Sequence, residues 1–194
     1  MIKVLYIHGF NSSPQSMKAE LSKEFFRQHH PEIEFHCPQI ASSPKAAIKQ
    51  LEAIIALAPE ASWLLMGSSL GGYFATYLAE KYQLPAVLVN PAVKPFELML
   101  DYLGEQINPY TQECYQVKAQ YIADLKALEQ TRISKNNYLV MVQTGDEVLD
   151  YQQAVEKYRH CQLVITPGGD HSYINYEDTL PNVASFFNLQ LNLA

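Results

Sequence analysis

Cysteine is sparse in this chain of 194 residues: three in all, Cys37, Cys114 and Cys161, widely spaced and odd in number. They form neither a C-x-x-C pair nor a metal-ligand spacing, which argues against a disulfide framework or a zinc site and fits reduced thiols. Positive charge is short as well. Lys and Arg number 14 against 20 Asp and Glu, a net charge of -6. That is the wrong sign for a chain whose main partner is nucleic acid or an anionic membrane surface. No apolar run approaches the roughly 20 residues of a membrane-spanning helix. No signal-peptide pattern precedes the first apolar segment, and neither repeats nor low-complexity tracts are visible. What is present, 48% hydrophobic and 18% charged residues, suffices to bury a core without staples. The expectation is one domain over 1–194, soluble and cytoplasmic.

Short apolar runs alternate with helix-period segments, the pattern of a parallel α/β sheet. Strands are predicted at Lys3–Ile7, Glu34–Pro38, Ser62–Met66, Ala86–Asn90, Tyr138–Gln143 and Gln162–Ile165. Between them, Ser13-Pro14 and Ser43-Pro44 each read as an N-cap followed by proline in the first turn, opening helices to about His29 and Leu57. Further helices are predicted near Gly72–Tyr82, Tyr151–Tyr158 and Tyr176–Phe187. From about 91 to 137 the alternation breaks. No strand is evident there, and the stretch reads as a helical excursion over the sheet, with a helical piece at Glu113–Leu128 and tyrosines at 102, 110, 115 and 121.

The most telling stretch is Gly67-Ser68-Ser69-Leu70-Gly71, a G-x-S-x-G run between the apolar Trp63–Met66 and a helix-like segment. A strand turning sharply into a helix at a serine is a nucleophile elbow, its glycines allowing strand and helix to pass closely. Serine needs a base in hydrogen-bond reach. Downstream, Tyr138–Gln143 ends in Thr144-Gly145-Asp146-Glu147, and Gln162–Ile165 runs on to Gly168-Gly169-Asp170-His171. Ser69 as nucleophile, Asp146 as orienting acid and His171 as base therefore follow in the order Ser, Asp, His, each at the C-terminal end of a predicted strand. Ser68 is the local competitor of Ser69. Glu147, Asp150 and Asp170 compete with Asp146, though Asp150 stands where a helix cap belongs and Asp170 adjoins the histidine awkwardly. His29, His30, His36 and His160 read as surface or structural. The backbone N–H groups of Leu70 and of Phe10, in the His8-Gly9-Phe10-Asn11 loop, are the expected oxyanion donors.

With these motifs the chain resembles an α/β-hydrolase and, more narrowly, the small bacterial YqiA-type esterases. The similar stretches include His8–Pro14, Gly67–Tyr73, Val89–Val93, Pro95–Leu98, Asn108–Thr111 and Gln143–Tyr151. The resemblance implies a compact α/β-hydrolase fold: a mostly or wholly parallel sheet of about six strands, without the N-terminal edge hairpin and without a large cap. It implies hydrolysis of small-molecule carboxylic esters, with acyl-CoA thioesters as further substrates, and no metal or organic cofactor. Pro91–Leu128, with Phe96, Leu98 and Leu100, is expected to wall the acyl pocket. The rival reading is a binding or regulatory protein that keeps the hydrolase shape without turnover. Acting on an amide or carbon–carbon bond with the same three residues is a third.

Overall fold

Alternate residues of the central strands bury against opposite helical layers, and this alternation organises the chain. A computed structural model describes residues 1–190. Six strands make one parallel sheet: β1 (Ile2–Ile7), β2 (Glu34–His36), β3 (Ser62–Ser68), β4 (Ala86–Val89), β7 (Tyr138–Gln143) and β8 (Gln162–Thr166), in the order β2-β1-β3-β4-β7-β8. The two intervening strands, β5 (Gly104–Ile107) and β6 (Cys114–Val117), form a separate antiparallel hairpin. Leu5, Ile7, Leu65, Leu88, Val140 and Val142 face a core completed by helices α2 (Pro44–Ala56) and α3 (Leu70–Tyr82) and by Ala154 and Tyr158, in and after α6 (Tyr151–Lys157). Val4, Tyr6, Leu64, Met66, Val87, Val89, Leu139 and Met141 face the other core, with α1 (Met17–His29) and α7 (Leu180–Phe186). Strands buried on both faces explain their continuous apolar runs.

The predicted strands and helices recur with shifted ends, and three readings need correction. The first helix begins at Met17 with Ser16 as its cap, because Ser13 instead closes a turn, its Oγ accepting from Gln15 N and its carbonyl from Ser16 N. At Ser43-Pro44 the prediction holds: Ser43 Oγ accepts from Ala46 N, and Pro44 opens α2. The segment near Tyr176 begins as a 3-10 turn (Tyr176–Thr179) before α7.

The largest correction concerns 91–137. It contains the β5–β6 hairpin, so the residues predicted helical from Glu113 are first strand, and the helix α5 (Ala119–Ala127) starts later. Alternation is short and weak here (four residues per strand, all but Val117 exposed or half-exposed), which leaves little periodic signal. The hairpin is fastened to the loop after β1. Asn108 Nδ2 donates to Ser12 O at 3.0 Å, and Tyr115 Oη donates to Asn11 Oδ1 at 2.6 Å. Deeper, the buried Tyr73 hydroxyl in α3 donates to Leu125 O of α5 at 2.7 Å. Tyr73→Phe removes this buried bond, leaving Leu125 O with Leu128 N alone, and is expected to lower stability by about 1 kcal/mol, read as a lower urea midpoint with an unchanged slope.

Candidate active site

Ser69 joins β3 to α3 with φ 54° and ψ -124°, a conformation that costs a residue bearing a Cβ roughly 1–3 kcal/mol. Neighbouring contacts hold it there. Ser69 N donates to Val89 O at 3.1 Å, and Ser69 O accepts from Gly72 N and Ala92 N, both at 3.0 Å. A side chain at Gly71 would overlap the carbonyl oxygen of Ile7 in β1, and one at Gly67 would strike the Gly71 backbone. The crossing is close enough that only glycine fits.

His171, in the loop after β8, reaches Ser69 Oγ through Nε2 at 3.1 Å. Its Nδ1 lies 3.0 and 2.9 Å from the two carboxylate oxygens of Asp146. A carboxylate only accepts, so the proton sits on Nδ1 and leaves Nε2 free to accept from the serine hydroxyl. Asp146 Oδ1 also accepts from Val148 N and Leu149 N, each at 2.9 Å. Burial works to raise the Asp146 carboxyl, but the His171 bond and these two N–H groups outweigh it and hold it below the ordinary carboxylate value.

The competing acids go elsewhere. Asp150 caps α6, accepting from Gln152 N, Glu147 accepts from His171 N, and Asp170 accepts from Ser172 Oγ. Ser68 is buried in β3. His8, beside the site, is buried, its Nδ1–H donating to Gly9 O and its Nε2 accepting from Ile40 N. Burial lowers its basicity, with the Gly9 bond acting the other way, so it serves to fix the loop. The N–H groups of Phe10 and Leu70 donate to no backbone or side-chain acceptor among the described residues, and both residues line the pocket at Ser69.

The model for the "Uncharacterised protein family (UPF0227)" matches residues 3–188. The chain belongs to the UPF0227 family. UPF0227 protein YcfP of Escherichia coli strain HS is 23% identical over 188 residues, 96% of this chain and 99% of that one. Among solved structures, Est1E from Butyrivibrio proteoclasticus superposes with a TM-score of 0.72 at 15% identity, over 96% of this chain and 87% of that one. A Paleococcus ferrophilus monoacylglycerol lipase gives 0.67 at 15% identity over 95% and 94%. Mouse alpha/beta hydrolase domain-containing protein 10 gives 0.71 at 14% identity over 96% and 89%. The fold is that of the α/β-hydrolases, as the motifs implied.

In this UPF0227 chain an apolar pocket of about 60 Å³ opens at Ser69, walled by Phe10, Leu70, Pro95, Leu98, Met99, Tyr102, Val148 and Leu149. The excursion supplies part of the wall, but not as expected. Leu98 is there, whereas Phe96 is buried in the core beneath and Leu100 points to solvent, 58% exposed. Of the four tyrosines only Tyr102 lines it. Phe10, Val148 and Leu149 went unrecognised as walls, although each adjoins a residue singled out by motif. The Phe10 ring stands edge-on between Tyr102 (5.1 Å) and Tyr115 (6.5 Å). Behind it lies a second cavity of about 30 Å³ that shares Phe10, Leu70 and Met99 with the first.

Gly71→Ala forces β1 and α3 apart at the Ile7 carbonyl and is expected to unfold the protein at a markedly lower temperature, read by calorimetry. A second prediction follows from Asp146, whose pKa falls on folding. Its carboxylate stabilises the fold at neutral pH, and that contribution is lost as pH drops through the carboxylate range. The stability difference between the protein and Asp146→Asn is therefore expected to shrink on acidification below about pH 4, read from urea melts at each pH.

Proposed function

We propose that this protein is a serine esterase that hydrolyses small-molecule carboxylic esters through an acyl-enzyme. The observation that carries the reading is the unbroken hydrogen-bonded chain Ser69 Oγ, His171 Nε2, His171 Nδ1, Asp146 at a strained strand–helix turn. The fold shared with an esterase domain and a monoacylglycerol lipase supports it.

In this mechanism Ser69 Oγ attacks the acyl carbon while His171 Nε2 takes its proton. The negative charge that develops on the carbonyl oxygen is met by the N–H groups of Phe10 and Leu70, which have no protein acceptor to give up. The tetrahedral intermediate collapses, expelling the alkoxide (or thiolate) as Nε2 returns the proton to it. Water, deprotonated by Nε2, then attacks the acyl-Ser69 ester, and the acid leaves with Ser69 restored. Asp146 holds the imidazole tautomer and stabilises the imidazolium formed in each half. The pocket beside Ser69 receives the acyl group, and its size favours short chains. Acyl-CoA thioesters are admitted by the same chemistry. The three unpaired cysteines suit the reducing cytoplasm we assign to it.

Steady-state turnover of p-nitrophenyl esters from acetyl to palmitoyl, beside the matching acyl-CoAs, tests the reading. Ser69→Ala and Asp146→Asn are expected to lower kcat by about 10³–10⁴-fold, while Asp150→Asn, which keeps the α6 cap, retains most of it. Rates are expected to fall as the acyl chain outgrows the pocket. Absence of both Ser69-dependent turnover and fluorophosphonate labelling at Ser69 overturns the esterase and favours a binding protein.

A further inference from the structure

His171 sits in a loop with no regular structure, yet its backbone is tied on every side. Gln143, the last residue of β7 and 2% exposed, turns its carboxamide into that loop. Its Oε1 accepts from Asp170 N at 3.1 Å and from Ile174 N at 2.9 Å, and its Nε2 donates to Ile174 O at 2.8 Å. Asn90, just past β4 and 3% exposed, completes the hold. Its Nδ2 donates to Asp170 O at 3.0 Å and to His171 O at 3.3 Å, while its Oδ1 accepts from Gln143 N at 3.0 Å. Two desolvated carboxamides, bonded one to the other's backbone, thus bracket the histidine from residue 170 to residue 174.

We propose that Asn90 and Gln143 are positioning residues that set the angle of the His171 imidazole between Ser69 and Asp146. The proposal rests on the esterase reading for its kinetic consequences but not for its geometry. A carboxamide offers donor and acceptor from one planar group: Gln143 meets both N–H and C=O groups of the loop, while Asn90 meets two loop carbonyls with its Nδ2 and the Gln143 N–H with its Oδ1. Asn90 holds φ at 41°, a left-handed turn that asparagine tolerates and most residues resist. Gly169 carries φ 74°, and any side chain there would collide with the Gln143 carboxamide, so the loop is shaped around that group. Within the loop Tyr173 N donates to Asp170 O, and two ties from other elements are nearer the surface: Glu147 accepts from His171 N, and Lys18 donates to Ser172 O. Water can replace those. It cannot easily replace bonds from buried amides.

The test compares Gln143→Met, similar in length but without hydrogen bonds, with Gln143→Glu, which keeps the acceptor, and Asn90→Leu with Asn90→Asp. Two readouts are taken well below each variant's melting temperature. The first is the downfield proton resonance of His171 Nδ1–H in the NMR spectrum, which reports the bond to Asp146 and needs no substrate. The second is kcat and KM on the best p-nitrophenyl ester. Gln143→Met and Asn90→Leu are expected to broaden or shift the resonance and to lower kcat about 100-fold with KM little changed, since displacing a catalytic group by about 1 Å costs that much. Gln143→Glu is expected to recover both signals in part. A folded Gln143→Met with the native resonance and native kcat overturns the proposal. Should wild type show no Ser69-dependent turnover, the esterase reading fails alone, and the resonance still decides whether the carboxamides hold the histidine. If Gln143→Met melts too low to assay, Asn90→Asp, which loses both bonds to the loop and keeps only the one from Gln143 N, decides by the same resonance, a native signal there overturning the proposal.

Discussion

The crossing of β1, β3 and α3 at Gly67 and Gly71 is the constraint on which the site depends. Because the helix backbone rests against the Ile7 carbonyl, Ser69 is driven into a positive-φ turn and its hydroxyl leaves the sheet at its C-terminal edge. The same crossing leaves Leu70 N at the head of α3 and brings Gly9 against the Ser69 side chain. Nucleophile and oxyanion donors, in the proposed chemistry, are therefore products of one steric decision. The strain is stored locally and held by four backbone hydrogen bonds of Ser69, to Val89 O and from Ala92 N on the β4 side and from Gly72 N and Tyr73 N of the helix itself.

Electrostatics then distinguishes four carboxylates that lie within one short stretch of sheet edge. Asp146 is the one whose burial is compensated from several directions, by the imidazole and by the N–H groups of Val148 and Leu149. Those two N–H groups hold Oδ1 of the carboxylate as well, so its orientation does not rely on His171 alone. Asp150 accepts from the first turn of α6, Glu147 and Asp170 accept from groups of the His171 loop, and Asp170 also feels the Lys18 ammonium. A carboxylate with preformed donors on one side and an imidazole N–H on the other is suited to hold a tautomer. The others cap or tie chain segments.

How far the sequence discloses this depends on range. The elbow was readable because glycine spacing and flanking strand and helix are consecutive in the chain. The Asp146 and His171 placements were readable because parallel sheets bring strand C-termini to one edge, whatever the strand order. The order β2-β1-β3-β4-β7-β8 itself was not derivable from any local pattern. Nor were Asn90 and Gln143 as partners, since a single carboxamide at a strand end is unremarkable until the loop from 80 or 31 residues away folds onto it. The β5–β6 hairpin escaped for a different reason. Four-residue strands lying over the sheet bury little, so their alternation carries almost no hydrophobic contrast.

That weakly patterned excursion is nonetheless what shapes the space above Ser69. The segment 95–102 supplies one side of the pocket, and its position is set by contacts that lie outside the pocket: Tyr73 to α5, Asn108 to Ser12, and Tyr115 to Asn11. Because Asn11 and Ser12 belong to the loop that also carries Phe10, these bonds tie the wall to the proposed oxyanion donor. Phe10 takes part at both ends of this arrangement, its N–H the proposed oxyanion donor and its ring set edge-on to Tyr102 and Tyr115 in the shared lining of two small cavities. Acyl size and charge stabilisation are thus coupled through one residue in the proposed enzyme. In the proposed enzyme, an acyl group that presses on this ring presses also on the backbone meant to receive the oxyanion.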